Sequence, residues 1–174
     1  SAVKQVRTEG LTDKITVRMA DGLAAVEETD EITAVTIAGM GGPLIVSILE
    51  KHPQALKSVT RLILQPNIHA KAIREWAMEN GWAIQDEVIL EEDGKIYEVL
   101  VLQRGEMKLN EAQTLLGPKL METKVPVFIE KWSREIANWQ RVQQAISEAE
   151  KTPDNQEKYE QLTHYIKMVQ EAIA

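Results

Sequence analysis

The sequence predicts an α/β layered fold with a helical hairpin behind it, on three observations. Short, β-branched apolar runs alternate with segments of helical periodicity from Lys14 to Gly81. Two longer strand-like runs are then joined across Asp93-Gly94, a dipeptide that favours tight hairpins. Beyond Gly105 the pattern changes, and the apolar residues step by three and four.

The elements follow in order. A first helix from Ala2 to about Glu9 is closed by Gly10. Lys14 to Ala20 is β-branched and alternating, and predicts a strand that ends at Asp21-Gly22, with a short helix or turn to about Glu28. Ala34 to Ala38 is apolar on both sides, as a buried parallel strand is, and stops at Gly39-Met40-Gly41-Gly42. Pro43 can open the next helix, to about Lys51, because its missing N–H costs nothing in a first turn. Arg61 to Leu64 predicts another strand, stopped by Gln65-Pro66-Asn67. A helix from about His69 to Asn80 places Ile73, Trp76 and Ala77 on one face, with Gly81 as its cap. Strands Trp82 to Leu90 and Ile96 to Gln103 form the hairpin. After it, Phe128, Trp132, Trp139, Val142 and Ile146 mark one helix, and Tyr159, Leu162, Ile166, Val169 and Ile173 trace a coiled-coil seam on a second. Lys151 to Gln156, with Pro153, breaks them apart. The chain therefore divides into an α/β part, 1–105, and a helical coiled-coil hairpin, 106–174.

Composition narrows the function classes. With 44% hydrophobic and 27% charged residues, the 174-residue chain resembles ordinary globular proteins. The absence of cysteine excludes disulfides, thiolate metal sites and a cysteine nucleophile. No apolar run reaches the roughly 18 residues of a membrane span, and no signal pattern opens the chain, so a cytoplasmic location is expected. Net charge is −7, with 11 basic and 16 acidic residues up to Gly105 and 9 and 11 after it. That balance argues against a protein that coats nucleic acid, but leaves room for an enzyme with one local basic patch.

Ligands of open parallel sheets bind beyond the carboxyl ends of the strands, and three such ends carry unusual residues. At Asp21-Gly22, a carboxylate beside a glycine suits a flat polar ligand; an Asp that caps the next helix explains it equally simply, and local sequence favours the cap. Gly39, Met40, Gly41 and Gly42 give the strongest signal. Three glycines in four residues bare the backbone where a strand becomes a helix, more than a tight turn needs, although no dinucleotide or P-loop spacing is present. At Gln65, Pro66 and Asn67, two amides flank a rigid ring and can read a base edge, or Asn67 can simply cap the helix that follows. His52, His69 and His164 have no metal-ligand spacing and read as solvated, and Glu91, Glu92 and Asp93 as a solvated turn. No metal site is expected. Lys131, Arg134 and Arg141 form a modest basic stripe opposite the tryptophans, either for phosphates or as ordinary surface charge; Trp132 and Trp139 read as core.

Taken together, the run Asp13 to Leu23, the run Thr36 to Gly42 and the run Leu62 to Asn67 resemble the bacterial tRNA (adenine(22)-N1)-methyltransferase family. The likeness extends over nearly the whole chain, hairpin included. It implies a Rossmann-like class I methyltransferase sheet in 1–105, S-adenosyl-L-methionine as methyl donor and tRNA as substrate. Asp21, Gly22, Gly39, Met40 and Gly41 would then face the cofactor, while Gly42, Gln65, Pro66, Asn67, Lys131 and Arg134 would face the RNA. No catalytic base is assigned.

The family also opens with an acidic, glycine-containing strand–turn–helix that wraps the cofactor's methionine part, and no such segment lies from Ser1 onward. In the family's strand order 3-2-1-4-5-7-6, this chain would supply strands 3 to 7. The expectation is a fragment whose open edges rearrange, pair with a homodimer partner or take up a complementing N-terminal segment, since sheets avoid bare edges. Two competing readings are a non-catalytic module whose hairpin recruits a partner, and another nucleotide-binding α/β enzyme, for which no phosphate motif is present.

Overall fold

A computed structural model describes residues 1–149 and 151–174. Its four strands, β1 (Ala34–Met40), β2 (Arg61–Pro66), β3 (Trp82–Glu92) and β4 (Lys95–Arg104), form one sheet in the order β1-β2-β4-β3. β1 and β2 are parallel, with Val35 opposite Leu62 and Ile37 opposite Leu64. β4 runs against both β2 and β3, so β1, β2 and β3 share one direction. This is the 4-5-7-6 half of the order that the resemblance implies. Asp93 and Gly94, both at positive φ (49° and 74°), make the two-residue turn between β3 and β4.

Among the described residues, seven α-helices accompany the sheet: α1 (Ala2–Thr8), α2 (Gly42–Lys51), α3 (Ala70–Glu79), α4 (Glu111–Leu116), α5 (Pro118–Thr123), α6 (Pro126–Glu148) and α7 (Pro153–Ile173). α2 and α3 pack together over one face of the sheet. Ile45, Leu49, Leu62, Leu64, Ile73, Leu100 and Leu102 fill the core between them. At roughly 1.5–3 kcal/mol per buried large side chain, this layer is the main source of stability for the α/β part. On the opposite face, Val88 and Leu90 are exposed.

The expected strand over Lys14–Ala20 does not form: the segment is extended and exposed, with Met19 fully in solvent. A strand is stable only through a ladder with a neighbour, and among the described residues no strand lies beside this one or beside the outer edge of β1. Arg18 ties the segment down instead. Its guanidinium donates to the Ala25 carbonyl (2.7 Å) and pairs with Asp30, whose carboxylate also accepts from the Glu27 N–H (2.8 Å). Arg18 beside Asp30 holds the Asp30 carboxyl down to about 2. Because that value lies below the ordinary carboxylate range, near 3.9, the tie is complete above about pH 4 and is lost as pH falls toward 2. The Glu27 amide resonance should therefore titrate with a midpoint near 2 and stop doing so in Asp30→Asn. A midpoint near 3.9 would remove Arg18 from this role.

The C-terminal part is more than the expected hairpin. α6 and α7 do pair as antiparallel helices, but α4 and α5 precede them and pack against α3 and β3. A second core of Ile89, Leu116, Leu120, Phe128, Trp132, Ile136, Ile166 and Val169 joins hairpin and sheet. The seam is buried near the sheet and thins toward the tip, where Val142, Ile146 and Leu162 are half-buried and Tyr159 is exposed.

Candidate active site

Two loops meet at the carboxyl ends of β1 and β2. Gly39 has φ +81° and interrupts the β1–β2 register between Ala38 and Met40, a conformation that a residue with a Cβ adopts only with strain. Its N–H donates to the Gln65 side-chain oxygen (2.8 Å), and Gln65 Nε2 donates to the Asn67 side-chain oxygen (3.1 Å). The Asn67 N–H donates to the Met40 carbonyl (2.9 Å), and the Gly42 N–H to the Ile68 carbonyl (2.9 Å). Loops 39–42 and 65–69 are thus zipped by three hydrogen bonds into one rim, and the Gln65–Asn67 bond braces the second loop. α2 starts from it, with Gly41 as its N-cap and Pro43 in its first turn.

The glycines have different jobs. Around a Cβ built at Gly39 there is open space, so that position is glycine for its φ alone. A Cβ at Gly41, at an ordinary φ of −71°, would make only van der Waals contact, with the Ile68 side chain at 3.7 Å and the Pro43 ring at 4.0 Å. Gly42 is glycine because the His69 backbone leaves no room: a Cβ there would overlap the His69 carbonyl oxygen and lie 2.9 Å from its carbon. Met40 packs its side chain against the α/β core, leaving its backbone on the rim. Asn67 does not cap α3. Its side chain is turned to Gln65, and the N-cap is His69, at φ +59°.

The remaining expected residues lie apart from the rim. The exposed Asp21 carboxylate neither caps the following turn nor reaches Gly39; it pairs with Lys51, at the end of α2 opposite Gly42, and Lys51 holds it below the ordinary carboxylate range. Gly22 sits against Ile48 in the same last turns. Two residues of the basic stripe on α6 are paired with carboxylates, and the third, Arg141, meets only a neutral amide. Lys131 pairs with the buried Glu98 and lies 5.0 Å from the Trp132 ring centroid, on the tryptophan side and not opposite it. Arg134 pairs with Glu130 on its own helix, and Arg141 donates to Asn138. His52, expected to be solvated, has a buried Nε2 with no partner among the described residues.

A buried charge cluster that the sequence reading missed lies behind the rim. Arg74 of α3 is fully buried; it donates to Glu87 of β3 (2.8 Å), Glu98 of β4 (3.1 Å) and the Leu115 carbonyl at the end of α4 (3.0 Å). Glu87 also accepts from the Lys119 N–H (3.0 Å). A bulge between Ile84 and Asp86 keeps Ile84 and Glu87 on one face, opposite Leu102 and Leu100, which turns Glu87 inward. Burial pushes the Glu87 carboxyl up against the opposing pull of Arg74. Gly117, at φ +98°, leaves the room for this pair. The signal in the sequence was an arginine inside an apolar helical stripe, Ala70, Ile73, Ala77.

The rim offers backbone N–H groups, amides and open space, and among the described residues no cluster suited to a metal ion. That is a positioning site rather than an acid–base one. Among the described residues, no helix is long and apolar enough to cross a membrane. The TrmK family, tRNA (adenine(22)-N(1))-methyltransferase, matches residues 1–171. The tRNA (adenine(22)-N(1))-methyltransferase of Bacillus subtilis is 44% identical over 99% of this chain and 75% of its own. A structure of a Listeria monocytogenes protein covers 99% of this chain and 76% of its own, at TM-score 0.96 and 42% identity. A Streptococcus pneumoniae structure, a putative tRNA (m1A22) methyltransferase in complex with S-adenosyl-L-methionine, covers 99% and 75%, at TM-score 0.87 and 42% identity. With sheet order, glycine rim and near-complete sequence match in agreement, the chain belongs to the tRNA (adenine(22)-N(1))-methyltransferase family.

Proposed function

We propose that this protein methylates N1 of an adenine in bacterial tRNA, in the cytoplasm, with S-adenosylmethionine as donor, and that the zipped rim is where cofactor and base meet. The carrying observation is that the rim bares backbone at the ends of two adjacent parallel strands, where open α/β sheets bind ligands. The cofactor supplies an electrophilic methyl group on a cationic sulfonium. Gly39, Met40 and Gly41 would line its side of the rim; Gly42, Gln65, Pro66 and Asn67 would line the base side. Transfer to the N1 lone pair would break the S–CH3 bond, release S-adenosylhomocysteine and move the positive charge onto the base, so no proton would have to leave first. A rim of dipoles without a general base is sufficient for that step, and positioning supplies most of the catalysis. Among the described residues, the Asn67 Nδ2 donor has no partner and is free to orient the base.

Asp21 and Gly22, at the far end of α2, are given no part in this rim. Lys131 and Arg134 would contribute positive surface to the RNA only through their partly neutralised pairs. The core shared between hairpin and sheet supports an integral part of one enzyme over a separable recruitment module. Labelled-methyl transfer to bulk bacterial tRNA by the intact protein, with 1-methyladenosine identified by mass spectrometry, tests the reading. Gln65→Ala, which frees the Gly39 N–H, is expected to lower kcat roughly 10- to 100-fold. Neither methyl transfer nor calorimetric binding of S-adenosylhomocysteine by the wild type would reject it.

A further inference from the structure

A cleft of about 370 Å3 opens between the start of α3 and α6, lined in part by Asn67, Ile68, Lys131, Trp132, Glu135 and Trp139. It adjoins the rim directly, because Asn67 belongs to both and the Ile68 side chain packs beside Gly41. Its volume is at the small end of ligand sites, which suits one nucleotide-sized group.

Three features of its wall point to the same ligand. Trp139 is half-buried and lies within a row of rings, with its centroid 6.3 Å from Trp132 and 5.9 Å from Tyr165. Trp132 is buried, and its indole N–H has no acceptor among the described residues, an uncommon condition in a folded protein. Glu135, one turn further along α6 from Trp132, has no hydrogen-bond or ion-pair partner among the described residues although the other charged groups nearby are paired: Lys131 with Glu98 and Lys71 with Glu75. An indole face, one unmet donor and one unmet carboxylate at i and i+3 complement a flat heterocycle with a carbonyl acceptor next to two N–H donors. Among RNA bases that edge belongs to guanine, with O6 beside N1–H and N2–H. Adenine presents a single amino donor beside an acceptor nitrogen, which a carboxylate repels.

We propose that this cleft binds an unpaired guanine of the RNA substrate, stacked on Trp139 and read by Glu135 and Trp132, so that the target adenine is delivered to the neighbouring rim. The inference rests on the methyltransferase reading and adds a specificity site to it. Aromatic stacking is typically worth enough for a roughly tenfold change in affinity per base. In the intact protein, Trp139→Leu and Glu135→Gln should therefore each raise the KM for tRNA about tenfold, with kcat and the affinity for S-adenosylhomocysteine unchanged. Trp139→Phe, which keeps a stacking ring, should stay within about threefold of wild type. Guanosine 5′-monophosphate should inhibit transfer competitively with tRNA and more strongly than adenosine 5′-monophosphate, and lose that advantage in Glu135→Gln. Should Trp139→Leu unfold the hairpin, as thermal denaturation would show, Glu135→Gln and the nucleotide pair carry the test, since Glu135 holds no partner among the described residues. An unchanged KM in Glu135→Gln, or equal inhibition by the two nucleotides, overturns the guanine site while leaving transfer intact. Loss of wild-type transfer and cofactor binding would instead be the failure of the underlying reading.

Discussion

Replacing Arg74 with leucine is expected to destabilise the protein by about 3–5 kcal/mol, the usual consequence of removing one partner from a buried ion cluster. The loss is larger than that of the arginine's own contacts. Glu87 and Glu98 stay behind, both more than nine-tenths buried, in a seam between two hydrophobic cores. Against a typical total of about 5–15 kcal/mol, the change is roughly a fifth or more of the stability. It should lower Tm by roughly 10 °C for a chain of this size. Burial already pushes the Glu87 carboxyl up, and Arg74 is what restrains it. A raised carboxyl favours folding at pH values below its ordinary range and loses that contribution as pH rises through the folded value. The leucine variant should therefore be most impaired at neutral pH and recover in part as pH falls, because the Glu87 carboxylate, freed of Arg74, takes up a proton more readily. Thermal denaturation across pH 5–8 checks both parts. A flat profile with a small Tm change would show that the cluster is not the joint between sheet and hairpin. Replacing Arg74, Glu87 and Glu98 together by methionine should restore much of the loss, because an apolar seam leaves no buried carboxylate unpaired and Lys131, which loses Glu98, is partly exposed and can turn to solvent.

Most of the α/β scaffold was legible because its signals are local. The apolar runs at 34–38 and 61–64, the Asp93-Gly94 turn and the Pro43 and Gly81 helix boundaries each carry their own physical reason, and each element formed within a few residues of its expected place. Lys14–Ala20 has an equally good strand pattern and stayed unpaired, since pattern states what a segment prefers and pairing depends on a neighbour. The site was legible only in part. The Gly39–Gly42 cluster signalled bared backbone, but not that Gly42 answers to the His69 carbonyl, a contact between residues 27 apart in sequence. Asp21 failed to join the rim for a similar reason: the nearness of two strand ends is a property of the assembled sheet. The Arg74 cluster was concealed by a bulge, which alters the alternation that would have flagged Glu87 as inward-facing. Trp139 read as core and Glu135 carries no local signal, and only the facing residues 67–71 turn them into a wall of a cleft.

Gly42→Ala should reduce kcat/KM for methyl transfer by at least about 100-fold, the largest effect of any single methyl group added to the rim. The added Cβ would overlap the His69 carbonyl oxygen, and that oxygen cannot retreat cheaply. His69 is already in the left-handed region at φ +59° and is the N-cap of α3, so moving it means moving the start of a packed helix. Relief comes only by parting loops 39–42 and 65–69, which lengthens the bonds from Gly42 to Ile68 and from Asn67 to Met40. A shift of about 1 Å in reacting groups is enough for a 100-fold loss, whereas overpacking of this kind usually costs only about 1–3 kcal/mol of stability. Activity should consequently fall much further than Tm. The neighbouring glycines supply the control. Gly39→Ala adds a methyl group in open space but must hold φ +81°, a strain of roughly 1–2 kcal/mol, and should fall between wild type and Gly42→Ala. Gly41→Ala, at an ordinary φ and in van der Waals contact with Ile68 and Pro43, should remain close to wild type. The ranking Gly42, then Gly39, then Gly41 follows from backbone geometry, and differs from what exposure or proximity to the cofactor side would give. If the three alanine variants transfer methyl groups at similar rates, the zipped rim is not what holds the reacting groups in line.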